Sequence, residues 1–291
     1  MTTLGLDLSH AFARLIMPRR CPSLRLIQVG CGGIGGMLAL HTARLARESQ
    51  RRYDSVEVFF IDPDTVEEKN LRRQNFCHAE IGHNKAETLA YRLNAAWGLN
   101  ITAIPKRFTP DLIPSAGRDI LTILLGCVDN AAARKQLHRA IQRESHHDAS
   151  PVWWLDGGNG TVQGQILLGN TVSSELLNSS FVLEGICKNL PSPAMLHPEL
   201  LIPKPDEQLP RKRSCAELAL LDPQSLTINS IIASHMSDYL LRLILTGDLR
   251  RFATYIDMTT GSVRSLSCTP EQIQQALTHQ PAQSRKQSLV D

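Results

Sequence analysis

The sequence predicts a doubly wound, mostly parallel α/β sheet with a C-terminal helix and β-hairpin extension. Three observations carry this. Runs of strand length alternate with stretches of helical periodicity over roughly the first half of the chain. The runs, such as "VEVFFI" (56–61) and "DILTILLG" (119–126), are predominantly apolar, which marks strands covered on both faces rather than one. A glycine-rich turn, "VGCGGIGG", joins the first such strand to the first helix.

The elements follow in order. Residues 1–22 read as an N-terminal arm, with a short helix around "LSHAFARLIM". The first core strand is "LRLIQV" (24–29), and Gly30 stops it. Residues 34–47 are helical, with Met37, Leu38, Leu40, Leu45 and Ala46 on the apolar face. The strand at 56–61 closes at Asp62-Pro63. A helix over 85–97 carries Leu89, Leu93 and Trp97 at spacings of four and stops at Gly98. "NITAIPKRF" is a weaker strand, 119–126 a strong one, 131–144 a helix and "VWWLD" (152–156) a strand. The order β-α-β-α-β-β-α-β places the nucleotide-binding core within 23–187. "GTVQGQILLG" (160–169) alternates like a hairpin strand. Six prolines within 188–213 mark an extended crossover loop without elements of its own. Residues 214–278 complete the same domain with a helix over 225–247 and a hairpin turning at Thr260-Gly261. The polar tail, 279–291, reads as disordered.

Composition narrows the function classes. A net charge of +3 with no long Lys/Arg block, and aromatics at only 5%, argue against nucleic acid. No apolar run reaches the roughly 18 residues of a membrane span. The arginines at 14, 19 and 20 lack the apolar core of a signal peptide. Seven cysteines, at 21, 31, 77, 127, 187, 215 and 268, form no CxxC pair, so structural zinc is not expected. Their odd number and wide spacing suit a reducing, cytoplasmic compartment.

Gly30, Gly32 and Gly35 satisfy G-x-G-x-x-G between strand and helix, with Gly33 inside the turn. Such a turn lets the backbone approach a phosphate, and the helix N-terminus favours its anionic oxygens. Asp62, at the end of the second core strand, is placed to accept both hydroxyls of a ribose, or simply to stop the strand. Asn70, Arg72, Arg73 and Gln74 then come within five residues, and a hydride-transferring enzyme has no obvious need for them. Adenylyl transfer does need them. When a carboxylate attacks the α-phosphate of ATP, both partners are anionic and charge grows on the leaving pyrophosphate, so cations, donors and a metal site must surround a triphosphate. Arg73 offers a planar fork, Asn70 and Gln74 offer neutral donors, and Lys85 a point charge. Asp129, at the carboxyl end of a strand, offers a hard oxygen suited to Mg²⁺. Each alone has an ordinary explanation: a solvated lysine for Lys85, a helix N-cap for Asp129. Arg72 reads as a bystander.

Four segments in order, "VGCGGIGG", "IDPDTVEEKNLRRQNF", "IGHNKAETLAYRLN" and "GCVDNAAAR", resemble the superfamily of ThiF, MoeB and the ubiquitin-activating enzymes. "WWLDGGNGTVQGQILLG", "SCAEL" and "INSIIASHMSDYLLRLI" look closest to the PRTRC-system ThiF family of bacterial mobile-element clusters. The resemblance implies a Rossmann-like adenylation fold acting with ATP and Mg²⁺. It implies a substrate that is a small ubiquitin-like or sulfur-carrier protein ending in glycine, and a conjugating-enzyme-like acceptor. It assigns the phosphate turn to Gly30, Gly32, Gly33 and Gly35, the ribose to Asp62, the triphosphate to Asn70, Arg73, Gln74 and Lys85, and Mg²⁺ to Asp129. Homodimeric relatives lend an arginine from the partner's arm, for which Arg14 is the best match, with Arg19 and Arg20 behind it and a basic arm that only packs as the alternative. The paired CxxC zinc motif and the large cysteine domain of some relatives are missing here.

Cys215 follows Arg211, Lys212 and Arg213, cations that favour a thiolate. It is the candidate to receive the acyl group as a thioester, against Cys187, the more weakly placed Cys31 and Cys127, or no cysteine at all. Sulfur-carrier activation, an NAD(P)-dependent oxidoreductase and a catalytically silent nucleotide-binding scaffold are the rival functions.

Overall fold

A computed structural model describes residues 9–112, 119–144, 151–203 and 227–278. Among them lies an eight-stranded sheet. Five strands are parallel: β2 (Ser23–Val29), β3 (Ser55–Ile61), β4 (Ile101–Ile104), β5 (Ile120–Gly126) and β6 (Val152–Asn159). Three more, β7 (Gln163–Gly169), β9 (Arg251–Asp257) and β10 (Ser262–Ser267), extend the sheet antiparallel. The spatial order is β10-β9-β7-β6-β5-β2-β3-β4. The direction in which successive strands are added reverses between β2 and β5, so the loops leaving their carboxyl ends diverge and open a crevice.

Alternation within the apolar strands builds two cores. Leu24 and Leu26 of β2, Ile123 and Leu125 of β5 and Trp153 and Leu155 of β6 face α1 (Gly33–Ser49), α2 (Lys85–Trp97) and α6 (Ile228–Leu240). Ile27, Val29, Leu124 and Trp154 face α3 (Ala131–Glu144), through Leu137 and Ile141. The helices begin and end where their chemistry dictates. Asn84 caps α2 by accepting from Ala86 and Glu87 N–H, and Gly98 ends it in the left-handed conformation. After β7 a short helix, α4 (Ser174–Asn178), starts at Ser173, whose hydroxyl accepts from Leu176 N–H.

Three expectations change. The arm forms no helix over its described residues; it turns at 9–12 and enters β1 (Leu15–Ile16), which pairs in parallel with β8 (Ile186–Cys187). The proline-rich stretch is not featureless in its described part, 188–203. Ser192 accepts from Met195 N–H with Pro193 in the first turn of α5 (Pro193–Leu196), and Pro198 opens a 3-10 turn to Leu201. Proline lacks only an N–H that a first helical turn leaves unpaired anyway, so here it starts elements instead of preventing them. An unforeseen helix, α7 (Pro270–Thr278), follows the last hairpin, with Thr269 Oγ1 accepting from Gln272 N–H.

The stretch around 188–192 is clamped across the end of β7. Asn170 accepts from Leu190 N–H and donates to the Lys188 carbonyl, and a Cβ on Gly169 would lie 2.0 Å from the Pro191 oxygen. That atom is backbone and cannot step aside. Gly169→Ala is expected to cost about 1–3 kcal/mol by overpacking, read by urea denaturation. Gly160→Ala, whose Cβ would meet nothing closer than the Gln163 oxygen at 4.0 Å, is expected to cost far less.

Candidate functional site

A cleft of about 380 Å³ opens at the carboxyl ends of β2, β3 and β5, at the reversal point of the sheet. Its walls bring together Gly30, Gly32, Gly33, Asp62, Arg73, Gln74, Lys85 and Asp129, from the three connections β2–α1, β3–α2 and β5–α3.

The glycine turn is the tightest region of the site. Gly30 has φ +94°, and a Cβ there would stand 2.4 Å from the Cys127 oxygen. Gly35 lies one helical turn in, where a Cβ would meet the Gly30 oxygen at 2.0 Å. It lets the helix close onto the turn and does not itself line the cleft. Gln28, fully buried in β2, donates to the Gly35 carbonyl at 2.9 Å and fixes this approach.

Asp62 is 6% exposed and holds the turn as well as facing the cleft. Its Oδ2 accepts from Cys31 N–H at 2.6 Å and its Oδ1 from Asp64 N–H at 2.8 Å. Burial pushes its carboxyl up, and those two N–H bonds and nearby Lys85 pull it back. A carboxylate has about four lone-pair sites, so both oxygens keep capacity for a ribose.

Lys85 is no solvated helix lysine: it is 6% exposed, at the first residue of α2, with its ammonium 3.5 Å from Asp64. Asp129 is not the cap of α3. Asn130 takes that role by accepting from Ala133 N–H, and Asp129 stays exposed beside the cleft, touched by the Asn130 amide at 3.2 Å. Arg73 and Gln74 line the cleft while Arg72 is exposed and outside it.

Asn70 stands behind the wall, not on it. Its Oδ1 accepts from Glu67 N–H and its carbonyl from Arg73 and Gln74 N–H, so it shapes the turn that presents those two residues. Arg14 does not line its own chain's cleft; it follows the turn into β1, with its N–H donated to the Cys268 carbonyl. Cys215 lies outside the described residues. Its rivals are ill placed for thioester chemistry. Cys31 and Cys127 are buried, and that burial pushes both thiols up. Cys187 is fully buried and donates to the Asn189 carbonyl.

Two residues escaped the sequence reading. Asn229 of α6, 1% exposed, donates to the Arg73 carbonyl at 3.3 Å and accepts from Asn159 at 2.9 Å. It packs against Gly33, where a Cβ would come within 2.6 Å of it. Arg107, exposed after β4, adds another cation to the cleft. Only Arg107 had a visible signal, its position at the carboxyl end of a strand.

The chain's residues 19–276 match the ThiF family. The chain belongs to the ThiF family. Solved structures with the same fold include selenomethionyl PaaA, at TM-score 0.55 and 15% identity, covering 85% of this chain and 64% of that one. Escherichia coli MccB with AMPCPP and MccA matches at TM-score 0.54 and 14% identity, covering 86% and 65%. MccB with ATP matches at 0.53 and 14%, covering 84% and 63%. The chain thus spans just under two thirds of the length of these structures. No curated protein sequence matches it.

The donor set fits a nucleoside triphosphate. The Gln74 amide lies over Gly32, 3.6 Å from where its Cβ would be, and its Oε1 is buried with no partner among the described residues. Nε2 is the end of the amide nearest the turn, placed to donate to a phosphate oxygen held there. No cluster of three or more metal-ligating side chains occurs among the described residues; Asp129 offers a single exposed carboxylate at the cleft, so a Mg²⁺ there would need phosphates and water for the rest of its shell. Asn229→Ala would leave Asn159 without its acceptor and release the Arg73 turn. It is expected to cost about 1–3 kcal/mol of stability, and to weaken AMPCPP about tenfold by calorimetry, on the order of 1.4 kcal/mol.

Proposed function

We propose that this protein adenylates the C-terminal carboxylate of a small ubiquitin-like or sulfur-carrier protein, using ATP. One observation carries the reading: a glycine turn, a buried ribose-side carboxylate, two arginines, a buried lysine and an exposed aspartate converge on one cleft. A dinucleotide-dependent oxidoreductase would leave that cation set without a purpose. E. coli MccB, which shares the fold, has been crystallised with ATP and with AMPCPP plus MccA.

Asp62 holds the ribose and the glycine turn the phosphates. Arg73, Lys85 and Arg107 neutralise charge on the phosphates, and Gln74 orients them. A carboxylate oxygen of the substrate attacks the α-phosphorus, the bond to the bridging oxygen of the β-phosphate breaks, and pyrophosphate leaves with that electron pair. The product is an acyl adenylate, and no proton moves. Mg²⁺, held at Asp129, supplies further charge neutralisation when bound. The acyl carbon then passes to the Cys215 sulfur with release of AMP and loss of the thiol proton to solvent. A conjugating-enzyme cysteine is the next acceptor. The working form we propose is a cytoplasmic homodimer in which Arg14 serves the partner's nucleotide.

ATP–pyrophosphate exchange that requires a glycine-ended carrier protein is the test. Arg73→Ala and Asp129→Ala are each expected to lower exchange about 10²–10³-fold, whereas a silent scaffold would show no exchange to lose. Cys215→Ala is expected to keep exchange and lose the carrier–enzyme band on a non-reducing gel. A thiocarboxylate product with no such band would turn the assignment to sulfur-carrier activation.

A further inference from the structure

The cations that line the nucleotide cleft, Arg73, Lys85 and Arg107, are all spent on phosphates in the reading above. The attacking carboxylate is an anion as well, and it must approach an α-phosphate that already carries charge. The nucleophile therefore needs a cation of its own, on the side of the reacting atoms away from the phosphates.

Arg134 is a buried cation that the phosphates do not account for. It stands near the start of α3, donates its N–H to the Asn130 carbonyl and is 5% exposed. Behind it the fully buried Asp156 of β6 straddles Nε, its two oxygens at 3.3 and 3.2 Å. Burial pushes the Asp156 carboxyl up, and the adjoining guanidinium pulls it back. This pairing uses one of the five guanidinium N–H groups. The Nη edge has no partner among the described residues.

Asp156 and Gly158 are two apart on β6, so they share a face of the sheet. The guanidinium lies along that face. Nε stands at Asp156, and Nη2 stands over Gly158, 3.3 Å from where a Cβ would be. The Nη edge is thus carried one pleat further toward the carboxyl end of β6. There a hollow lined by Arg134, Gly158 and Asn159 opens into the nucleotide cleft, with Asp129 and Asn159 common to both. A buried fork without an acceptor costs free energy until an anion meets it, and a carboxylate matches its planar geometry.

We propose that Arg134 is a catalytic residue whose Nη edge binds one oxygen of the substrate's terminal carboxylate and leaves the other free to attack. The free oxygen forms the bond to the α-phosphorus. The bond from that phosphorus to the bridging oxygen breaks, and its electron pair leaves on pyrophosphate. The held oxygen becomes the carbonyl oxygen of the acyl adenylate. It stays on the same N–H groups, which then stabilise its negative charge when the next nucleophile adds to the acyl carbon. Asp156 is a positioning residue: it holds the guanidinium by Nε and turns the fork outward. The inference rests on the reading that a protein's C-terminal carboxylate is the group adenylated.

The test compares two ligands that differ only at the reacting group. A fluorescein-labelled decapeptide ending in Gly-Gly is made as the free acid and as the C-terminal amide. Each is titrated by anisotropy with full-length protein holding Mg²⁺ and AMPCPP, a nucleotide whose methylene bridge prevents transfer. The wild-type protein is expected to bind the acid about tenfold more tightly than the amide. Arg134→Lys still pairs with Asp156 but has no second prong. It is expected to erase the acid preference while melting temperature and AMPCPP affinity hold. Where that variant does not fold, Arg134→Gln with Asp156→Asn removes both buried charges together, and the same loss is expected. An arginine that only packs would weaken acid and amide alike and leave their ratio. Equal binding of acid and amide by the wild type, no binding of either, or a ratio that neither variant changes overturns the proposal. Pyrophosphate exchange with an unchanged ratio sinks this inference and leaves adenylation standing. An acid preference that Arg134→Lys erases, in a protein without exchange, keeps the carboxylate site and removes adenylation.

Discussion

The site depends on one backbone contact, the approach of Gly30 to the Cys127 carbonyl. β2 and β5 are neighbours that run parallel, and Cys127 N–H bonds to the Val29 carbonyl while Gly30 N–H bonds to Ile61 on the other side. The three strand ends are therefore drawn together at a single point, and no room remains for a Cβ between them. Gln28 reinforces the contact from inside the core by tying the strand to the first turn of α1. Because β2 and β5 part at their carboxyl ends, what is tight at the floor becomes a cleft above it.

Polar side chains then aim the loops around that floor. Asn84 caps α2 and donates to the Asp62 and Asp64 carbonyls, so one residue sets the Lys85 ammonium and the loop after β3 together. In the turn before it the Asn70 side chain accepts from Glu67 N–H, and the Asn70 carbonyl so placed accepts from Arg73 and Gln74 N–H. Asn229 reaches that turn from a helix far along the chain and ties it to Asn159 at the end of β6. Each of these side chains satisfies backbone groups, Asn84 at the start of α2, Asn70 at Glu67 N–H and Asn229 at the Arg73 carbonyl, and that need, more than direct ligand contact, explains why these positions are asparagine.

The two halves of the sheet divide the work. Parallel strands, buried on both faces, present their carboxyl ends to the cleft. Antiparallel strands need no covering helix over their whole face, so β7, β9 and β10 leave a floor open beside the cleft. The 3-10 turn from Pro198 to Leu201 forms one wall of that floor and brings Glu199 to His197.

Much of this was written in the chain. Apolar runs and helical spacing placed the core strands and helices, because burial on two faces and on one stripe leaves different periods. That the glycine turn, Asp62 and the Arg73–Gln74 pair would meet at one cleft was legible because a tight turn needs glycine and strand ends and the loops behind them gather at one edge of the sheet. The prolines of 188–203 misled, since the same missing N–H that breaks a helix interior suits a first turn, and only the packed Ser192 and Asn170 decide which applies. The burial of Lys85, the capping of α3 by Asn130 in place of Asp129, and the latch from Asn229 were decided by tertiary structure alone. So was the cross-strand row of Gly158, Gln165, Tyr255 and Arg264, whose members are scattered over more than a hundred positions. Register across an antiparallel sheet is what makes them neighbours, and register is a property of paired strands that no single strand's sequence contains.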